Sequence, residues 1–576
     1  MYILGLTTMG ESSAALIRDG EVIACAEEER FSRQKHHSGF PHLAAAYCLE
    51  QAGITIADVD HVTHYWKPWL LQHRITHTLG VLAKGFDLFK ARVKRGTKQL
   101  SGYYLPMFYM PWKVRHDMGP SNFKFHFIEH HVSHAASAFY CSPFDDAAVL
   151  TVDGAGEEAS VLFAHGQGTK LKVLKRIKLP NSLGQFYSAA TQFLGFDMFA
   201  GDEYKVMGMA GWGKPTSADT LQREVVVKNG AGSFQLDIKF LDHHLAKHRQ
   251  YSQRALDLWG PARAPDEEPT QRHYDIAASV QKTYEETLFH MLDWLHKETG
   301  SKNLCMAGGC ALNSLANGKI AARTPFTQQF FQPASHDGGG ALGSALYVYH
   351  HQLGNPRRAP MRHAYWGPGY DEARCRRAAE SAKLVPERLS DEALPDRVAQ
   401  LIADGAIIGW FQGRMEWGPR ALGHRSFLAD PRRRDMQEVI NRKIKLREPF
   451  RPFAPSMKVE ASERYFGKQH QAPFMITVFP VLEERKAEIP AVVHVDGTAR
   501  PQLVEKDVNP RYWALLDAFE KRTGIPVLLN TSFNVQEPIV CTPEDAVRTF
   551  VATDVDYLVM ENLLVPRPKT TTEATK

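Results

Sequence analysis

The chain has 576 residues, more than one hydrophobic core usually covers, so at least two domains are expected. Its composition, 44% hydrophobic and 23% charged, is ordinary for a globular protein. The net charge of +5 is too small over this length to indicate a nucleic-acid partner, and none is expected.

The cysteines and the apolar runs exclude further classes of protein. The seven cysteines are scattered and form no CxxC pair, which disfavours disulfide scaffolds and structural zinc sites. No apolar run approaches the roughly 18 residues that a membrane helix needs, and the chain starts without the charged segment of a signal peptide. The sequence therefore predicts a cytoplasmic protein with no integral membrane segment.

The chain begins with a predicted strand at residues 2–6 and a predicted β-hairpin. The hairpin joins residues 13–18 to residues 21–26 through Asp19 and Gly20. Asp-Gly between two apolar runs is the strongest short hairpin signal.

The same plan recurs later, as predicted strands at residues 149–152, 159–163 and 171–174. Residues 10–17 align with residues 156–163, which we interpret as an internal repeat. Such a duplication predicts two similar α/β halves whose glycine-rich turns offer backbone N–H groups to a phosphate. This plan resembles the actin, sugar-kinase and heat-shock ATPase (ASKHA) fold.

Residues 79–118 combine basic and aromatic side chains and look like an insertion. Three interpretations stay open: a lid over an acceptor, a dimer contact, or a weak attraction to membranes. Of these, we expect an element on the acceptor side.

His130 and His134 lie four residues apart in a predicted helix, so both imidazoles can bind one metal ion from one face. Isolated pairs of this spacing are more often structural. Here Asp153 follows a predicted strand and Asp337 precedes a predicted helix, and both could complete the site. His131 lies on another face, and we assign it a structural role. Two imidazoles and two carboxylates suit Fe, Mn, Co or Zn, in a catalytic or substrate-orienting site.

Two features of the sequence lie between Asp153 and Asp337. A long amphipathic helix near residues 274–297 is expected to pack in the core. Gly308 and Gly309 link a strand to a helix and would let a base or ribose approach the backbone, while Asn313 could hydrogen-bond to it.

A Pro- and Gly-rich stretch at residues 354–369 predicts a domain boundary, and a helix and a strand are expected at 394–412. A strongly cationic passage follows. The alternation of Lys443, Lys445 and Arg447 predicts three cations on one face of a strand, which favours a phosphate-rich ligand. A solvated basic strand is the alternative.

Five motifs spread over residues 1–565 carry a family resemblance. They lie at residues 27–36, 204–210, 416–426 (EWGPRALGHRS), 447–455 and 530–534. Together with the helix of His130 and His134, they resemble the O-carbamoyltransferases, which include the tobramycin, cephalosporin, novobiocin and nodulation-factor carbamoyltransferases.

The resemblance implies an α/β protein with two domains. Residues 1–355 would form an ASKHA-like domain of two similar halves, with the metal site, and would transfer the carbamoyl group. Residues 365–568 would form an α/β YrdC-like domain that makes carbamoyladenylate, and residues 569–576 would be a flexible tail. The implied reaction joins carbamoyl phosphate and ATP into carbamoyladenylate and pyrophosphate, and then carbamoylates a hydroxyl of a small molecule such as a natural product or sugar.

The resemblance also implies roles for individual residues. The activation step would use three catalytic residues, Lys445, Arg451 and Arg420. ATP, with Mg²⁺, and carbamoyl phosphate would be bound by Arg420, Lys445, Arg447, Arg451, Arg500, Asn530 and Ser532. The metal, Fe²⁺ by resemblance, would be bound by His130, His134, Asp153 and Asp337. The adenylate would be bound in the N-terminal domain by Lys35, Gly308, Gly309 and Asn313. A homodimer is expected.

One position departs from the family pattern. Many relatives carry His-Asp in the first turn, where the His is expected to help deprotonate the acceptor, but here the register reads Gly10-Glu11. Either Glu11, His36 or His37 serves as the base, or the acceptor is acidic enough to need little help, or transfer is impaired.

Two other classes of function stay open. A metallohydrolase of the peptidase-like ASKHA type would use the His pair but leave the cationic C-terminal half without a task. A non-catalytic nucleotide-binding scaffold would explain the repeat alone. The sequence does not identify the acceptor.

Overall fold

The computed structural model describes residues 1–70, 104–241 and 249–568, and the single positions 79, 86, 90, 93 and 94. The chain forms two units: Met1–Glu28 with His36–Met361, and Glu29–Lys35 with Arg362–Lys576. The predicted tail at residues 569–576 and half of the predicted insertion at 79–118 lie outside the described residues. None of the helices in the described part combines the length and hydropathy that crossing a bilayer requires.

Two five-stranded sheets organise the first unit. Each contains an antiparallel meander of three strands, and two further strands continue the sheet in parallel beside the first strand of the meander. The first sheet has the order β3-β2-β1-β4-β5 and consists of β1 (Tyr2–Thr7), β2 (Ser13–Arg18), β3 (Glu21–Glu27), β4 (His61–His64) and β5 (Lys124–Phe127). The second has the order β8-β7-β6-β11-β12 and consists of β6 (Asp146–Val152), β7 (Ala159–Gln167), β8 (Lys170–Lys178), β11 (Asn303–Ala307) and β12 (Gln328–Phe331). A separate two-stranded sheet pairs β9 (Val226–Asn229) with β10 (Ser233–Leu236).

The shared strand order confirms the repeat predicted from the sequence. Ser13 and Ala159, which the aligned segments pair, begin β2 and β7. Asp19 and Gly20 form the predicted hairpin turn, with the positive φ angles of 51° and 83° that such a tight turn requires. The unit is therefore an α/β domain of two similar halves, the plan of the ASKHA fold.

Helices connect the strands of the first unit. They are α1 (Glu28–Ser32), most of which belongs to the second unit, α2 (His42–Ala52), α3 (Leu105–Phe108), α4 (Met110–Met118), α5 (His130–Phe139), α6 (Leu183–Phe193), α7 (Glu203–Ala210), α8 (Ala218–Glu224), α9 (Gln253–Trp259), α10 (Gln271–Thr299), α11 (Ser314–Arg323) and α12 (Gly339–Leu346). The predicted long core helix is α10. It ends at Gly300, whose left-handed conformation lets its N–H bond back to His296 O.

Two of these helices, α5 and α12, position the candidate site. α5 packs on β6, β7 and β11, whereas α12 packs on β1 and β2, and the two helices contact each other. Their approach is close, because a β-carbon on Gly343 would collide with Ser133 O. The N-terminal end of α5 and the residues that precede α12 are thereby brought together.

An eight-stranded mixed sheet organises the second unit. Its strands are β13 (Glu387–Arg388), β14 (Ile408–Phe411), β15 (Arg425–Ala429), β16 (Ala454–Lys458), β19 (Gln502–Val504), β20 (Val527–Ser532), β21 (Tyr557–Met560) and β22 (Leu563–Pro566). Their order is β13-β22-β21-β14-β15-β20-β16-β19, with β14 parallel to β21, β16 parallel to β19 and the other pairs antiparallel. A small separate sheet pairs β17 (Phe479–Pro480) with β18 (Thr498–Ala499).

The helices of the second unit pack with this sheet around one apolar core. They are α13 (Glu372–Ser381), α14 (Ala393–Ala403), α15 (Met436–Ile440), α16 (Ser462–Phe466), α17 (Pro510–Thr523) and α18 (Pro543–Ala552). The core side chains Trp410, Leu428 and Leu528 are fully buried. The helix and the strand predicted at residues 394–412 are α14 and β14.

One predicted element is wrong, because residues 443–447 do not form a strand. Residues Asn441–Lys445 continue α15 as a π-helical turn, and Leu446 then takes a left-handed conformation with a φ of 46°. Lys443 is consequently exposed while Lys445 is buried, so the three cations do not share one face of a strand.

The apolar spacing explains this helical path. Ile440 and Ile444 lie four residues apart and both are buried in the core of the unit. Burying two isoleucines on one helical face outweighs the short polar-apolar alternation, which is a weak signal in so brief a segment.

Candidate functional site

Four side chains converge at the N-terminal end of α5. His130 and His134 lie on α5, Asp153 follows β6, and Asp337 lies just before α12. One ligand atom from each lies within 4.8 Å of the others. His134 Nε2 is 3.0 Å from Asp153 Oδ2 and 3.7 Å from Asp337 Oδ1, and His130 Nε2 is 3.5 Å and 3.7 Å from the same atoms. The structure thus brings the four predicted metal ligands together.

The chemistry of this cluster fits a divalent cation. The two Nε2 atoms are 3.2 Å apart, and the buried Asp153 Oδ2 faces both of them, at 3.0 Å from His134 and 3.5 Å from His130. Burial lowers the pKa of His134, but the carboxylates of Asp153 and Asp337 outweigh it and raise that pKa to about 9, so the site strongly favours positive charge. Imidazole nitrogens with carboxylate oxygens suit zinc and the first-row transition metals.

Neighbouring groups hold these ligands in place. The Tyr65 hydroxyl donates to Asp337 Oδ2 at 3.2 Å, and Glu157 accepts the His130 N–H at 3.1 Å. Such partners orient metal ligands. The ring of His131 contacts instead a hydroxyl of β6 and a carbonyl of β7, at 2.7 and 3.0 Å, which agrees with its predicted structural role.

Gly10, the position where the sequence departs from the expected family pattern, lies against this cluster. Its φ is +62°, and a β-carbon there would lie 2.5 Å from Asp337 Oδ2. We therefore expect Gly10→Ala to displace Asp337 and to weaken metal binding by about tenfold to a hundredfold, the usual effect of disturbing the surroundings of a ligand. Titrating the metal-free protein with Fe²⁺ or Zn²⁺ measures this affinity.

Gly53→Ala is the matched control for this variant. Gly53 has a φ of +66°, but a β-carbon there meets no atom within 4 Å. Both variants bear the same backbone strain, about 1–2 kcal/mol. Only Gly10→Ala should lose metal affinity, and an equal loss in both would contradict the steric explanation.

Glu11 lies in a cluster of charged side chains that includes His336, the residue directly before the metal ligand Asp337. Its carboxylate is 3.2 Å from His36 Nδ1 and 3.7 Å from His336 Nδ1. Burial raises the pKa of Glu11, but His336 and His36 outweigh it and lower that pKa, so Glu11 is ionised at neutral pH and can accept a proton. His336 Nε2 is also 3.1 Å from Glu27 Oε1.

His336 is a member of this cluster that the sequence motifs did not single out. Burial lowers its pKa, but Glu11 and Glu27 outweigh it and raise the pKa of His336 to about 9. The sequence feature that could have indicated His336 is its position directly before the predicted ligand Asp337. His37 is the third residue predicted as a possible base. Its main-chain carbonyl accepts the Ser12 N–H at 3.0 Å, which fixes the backbone of His37 beside the first turn.

The glycine pair predicted to contact an adenylate follows β11 and lies beside the turn of Asp153. A β-carbon on Gly308 would collide with Val152 O, and one on Gly309 would lie 3.5 Å from Asp153 Oδ1. The turn after β11 therefore packs so closely on the end of β6 that position 308 accepts only glycine.

Asn313 caps α11. Its Oδ1 accepts the Ala316 N–H at 3.1 Å, and its amide also bonds to the side chain of Gln281 at 2.9 and 3.0 Å. Its predicted contact with an adenylate stays a prediction.

Lys445 is the central buried cation of the second unit. Its side chain is 2% exposed, and Nζ lies 2.7–3.2 Å from four oxygens, the carbonyl and side-chain oxygens of Ser532 and Asn534 after β20. None of these is a carboxylate. Burial, followed by repulsion from Arg447 and Arg451, holds the pKa of Lys445 well below its usual value.

Arg420, Arg447 and Arg500 form a second group of cations. Burial, followed by repulsion from Arg420 and Arg447, holds the pKa of Arg500 well below its usual value. The Arg500 guanidinium makes no hydrogen bond or ion pair with any described residue. A bound anion would offset the repulsion within this group, and Arg binds phosphate oxygens bidentately. The group therefore fits a phosphate-bearing ligand.

Glu416 holds the loop that carries Arg420. Its Oε1 accepts the N–H groups of Leu422, His424 and Arg425 at 2.7, 2.8 and 3.1 Å, which closes the loop around Arg420. Arg425 is fully buried and its guanidinium donates to main-chain carbonyls, so its role is structural.

Two other predicted residues lie in this unit. Arg451 Nη1 is 3.5 Å from Glu448 Oε2. The Asn530 amide donates to Ser456 Oγ at 2.8 Å, while its buried Oδ1 has no hydrogen-bond partner among the described residues.

Residues 29–35 belong to the second unit although they follow β3. Arg30 donates to Gly418 O at 3.0 Å, and Arg33 donates to Ile539 O at 2.8 Å. These bonds anchor the segment, and the charge of Lys35 in it helps to lower the pKa of Lys445. Lys35 thus groups with the second unit, and its predicted contact with the adenylate stays a prediction.

Two solved structures match part of the chain at low identity. Component A of the (R)-2-hydroxyglutaryl-CoA dehydratase of Acidaminococcus fermentans is 14% identical, with a TM-score of 0.32, and the match covers 61% of this chain and 99% of that one. HypF of T. kodakarensis is 13% identical, with a TM-score of 0.31, over 62% and 48% of the two chains.

Sequence relatives cover much more of the chain. An uncharacterized protein of Synechocystis is 41% identical over 98% of this chain and 97% of its own. Nodulation protein NolNO of Sinorhizobium fredii is 38% identical over 97% and 79%, and nodulation protein NolO of Bradyrhizobium diazoefficiens is 41% identical over 76% and 78%.

Two family models match the chain in turn. The model described as Carbamoyltransferase N-terminus matches residues 2–346, and the model described as Carbamoyltransferase C-terminus matches residues 399–567. The two matches cover both five-stranded sheets of the first unit, every strand of the eight-stranded sheet except β13, and the residues of both candidate sites. The chain therefore belongs to the carbamoyltransferase family and is a carbamoyltransferase.

Proposed function

We propose that this carbamoyltransferase uses ATP to activate carbamoyl phosphate and then carbamoylates a hydroxyl of a small molecule. In the first step, the second unit forms carbamoyladenylate and pyrophosphate. Counting phosphorus atoms requires that one inorganic phosphate is released as well, with the uptake of one water molecule. In the second step, at the first unit, the acceptor oxygen bonds to the carbamoyl carbon and AMP leaves with the electrons of the broken C–O bond.

The observation that carries the first step is that two cations of the second unit, the buried Lys445 and the half-buried Arg500, have no carboxylate partner among the described residues. Lys445 is bound only by neutral oxygens, and Arg500 by no described group. ATP and carbamoyl phosphate are both anionic, so bringing them together requires cations that offset their repulsion and the charge that develops during transfer.

Individual roles follow from the position of each cation. Lys445, fixed by the four oxygens after β20, would supply a point charge at a set place. Arg420, Arg447 and Arg500 would bind phosphate oxygens through their planar guanidinium groups. The free Oδ1 of Asn530 offers a buried acceptor, which suits the carbamoyl amide as a donor.

For the second step, His130, His134, Asp153 and Asp337 would hold a divalent metal, for which Fe²⁺ is the expectation. When bound, such an ion supplies a Lewis acid for the transfer. Tyr65 would keep Asp337 oriented through its hydroxyl, and Glu157 would keep the first turn of α5 in place.

Glu11 is our candidate for the base that takes the acceptor proton. It is ionised, and His36 Nδ1 at 3.2 Å orients it. Glu11→Gln keeps the size of the side chain but removes the proton acceptor, so we expect carbamoyl transfer to fall by about tenfold or more. Carbamoyladenylate formation should be unchanged. Single-turnover transfer from preformed carbamoyladenylate measures the effect.

Glu21→Gln provides the control, because Glu21 is an exposed residue of β3. It should leave both steps as they are. Transfer by Glu11→Gln at the rate of the unchanged protein would remove Glu11 from the mechanism, and His36→Asn would then be the next variant to measure.

The proposed function is tested by the pyrophosphate balance. The purified protein, with metal, is supplied with ATP alone, carbamoyl phosphate alone, and both. We expect pyrophosphate and inorganic phosphate in equal amounts, only when both are present. Absence of pyrophosphate in the presence of both compounds would refute the proposal, and ATP-independent hydrolysis of an amide or ester substrate would favour a metallohydrolase.

A further inference from the structure

An exposed aromatic face lies on α3 and α4. Leu105, Phe108, Tyr109 and Trp112 follow a helical spacing of three and four residues, and they are 45%, 46%, 66% and 62% exposed. Their neighbours on the opposite side, Tyr104, Met107, Met110 and Val114, are buried. The amphipathic element therefore has one face in the first unit and leaves the other to solvent. We call the exposed set the aromatic face.

The surrounding stretch concentrates apolar exposure. Eight of the eighteen exposed large hydrophobic side chains among the described residues lie between Trp69 and Trp112. Single exposed apolar residues are normal, but a concentration of this kind marks a surface that contacts a partner. Trp112 also stacks on His116, with ring centroids 4.6 Å apart, so the face is held in a defined shape.

The stretch of sequence that contains this face is strongly basic. Residues 67–118 contain ten Lys or Arg and two Asp, a net charge of +8, whereas the whole chain carries +5 and the remainder therefore −3. Lys90, Lys94 and Arg115 are exposed. Arg115 forms no ion pair with any described carboxylate and donates to main-chain carbonyls.

The positive charge of this stretch favours a lipid surface over a second copy of the chain as the partner. A second copy that docked through the same stretch would bring two basic segments together across a two-fold axis, which opposes association. A lipid surface with anionic headgroups has the opposite charge, and Trp and Tyr are the aromatic residues that favour the boundary between headgroups and hydrocarbon. We propose that the aromatic face binds peripherally to the surface of a membrane that contains anionic lipids.

The same element reaches the metal cluster through one layer of aromatic side chains. The ring of Tyr104, on the inner side of the element, is 6.1 Å from the ring of Trp66, which is 5.2 Å from the ring of His130. Membrane contact through the aromatic face would therefore occur close to the transfer site of the first unit.

Vesicle sedimentation tests this proposal with the full chain. We expect binding to phosphatidylcholine vesicles that contain about 30% phosphatidylglycerol, much weaker binding to phosphatidylcholine alone, and a decrease with added salt. The double variant Tyr109→Ser with Trp112→Ser should lose binding by about tenfold or more, because both removed side chains are exposed and aromatic. Its fold is checked by its melting curve and its metal content.

Trp212→Ser is the matched control, since Trp212 is 48% exposed outside the stretch. It should bind vesicles like the unchanged protein. The proposal is overturned if the unchanged protein binds neither vesicle, or if the double variant, folded and metal-loaded, binds as well as the control. It is also overturned if the double variant changes from dimer to monomer in light scattering while vesicle binding persists.

Discussion

Arg500→Met is expected to reduce pyrophosphate formation by about 10²–10³-fold and, at the same time, to raise the melting temperature of the protein. The first effect follows from the loss of a charge placed where negative charge develops, which costs this much in comparable sites. The second follows because Arg500 is a partly buried cation with no bond to any described residue, and an uncompensated charge destabilises the folded chain. Activation kinetics and a melting curve on the same preparation give both values.

Arg442→Met is the control for this variant. Arg442 belongs to the same unit and is exposed, so its replacement should change neither quantity by much. If Arg500→Met lost stability together with activity, Arg500 would be part of the structural framework and the anion site would have to be moved elsewhere.

Asp337→Asn is expected to lower metal affinity by about a hundredfold or more and to abolish carbamoyl transfer, with pyrophosphate formation retained. The change keeps the shape of the side chain and its contact with the Tyr65 hydroxyl, but it removes one of the two carboxylate charges of the cluster. Metal binding to such a site depends on that charge. Elemental analysis gives the metal content independently of activity.

Asp145→Asn serves as the control, because the Asp145 side chain is 96% exposed and lies outside the cluster. It should retain the full metal content and both activities. Retention of metal by Asp337→Asn would show that Asp337 is not a ligand. Loss of pyrophosphate formation in Asp337→Asn would contradict the assignment of the two steps to separate sites.

The elements that local signals specify were predicted well. The Asp19-Gly20 hairpin, the repeat of β6 to β8, and α10 each depend on contacts between residues near in sequence. Such contacts leave a periodic or turn-forming pattern that can be read without a partner segment. The His130 and His134 pair belongs to the same class, since the helix alone puts both rings on one face.

The strand predicted around Lys445 is wrong for the opposite reason, because contacts with distant segments decide the conformation of that segment. Its short alternation predicted a strand, but the path of the chain there is decided by the burial of Ile440 and Ile444 against a core that other segments build. Local propensity is a weak signal when tertiary packing favours another conformation.

The sequence also contains no indication of contacts between residues that are far apart along the chain. His336 and Glu11 are brought into contact by the packing of α12 on β1 and β2, and no pattern around either residue indicates the other. The anchoring of residues 29–35 in the second unit depends on carbonyls near residues 418 and 539. Main-chain acceptors leave no trace in a sequence, because every residue has one.

The sequence by itself determined the duplicated α/β plan, the family, and the residue types of both sites, because repeats, motifs and short-range spacing are properties of the order of residues. Only the tertiary structure decided that Asp153 and Asp337 come within reach of the two imidazoles, that Lys445 is buried while Lys443 is exposed, and that Arg500 has no bonded partner among the described residues. These facts depend on distances between distant segments and on burial, which arise only when the separate elements pack against one another.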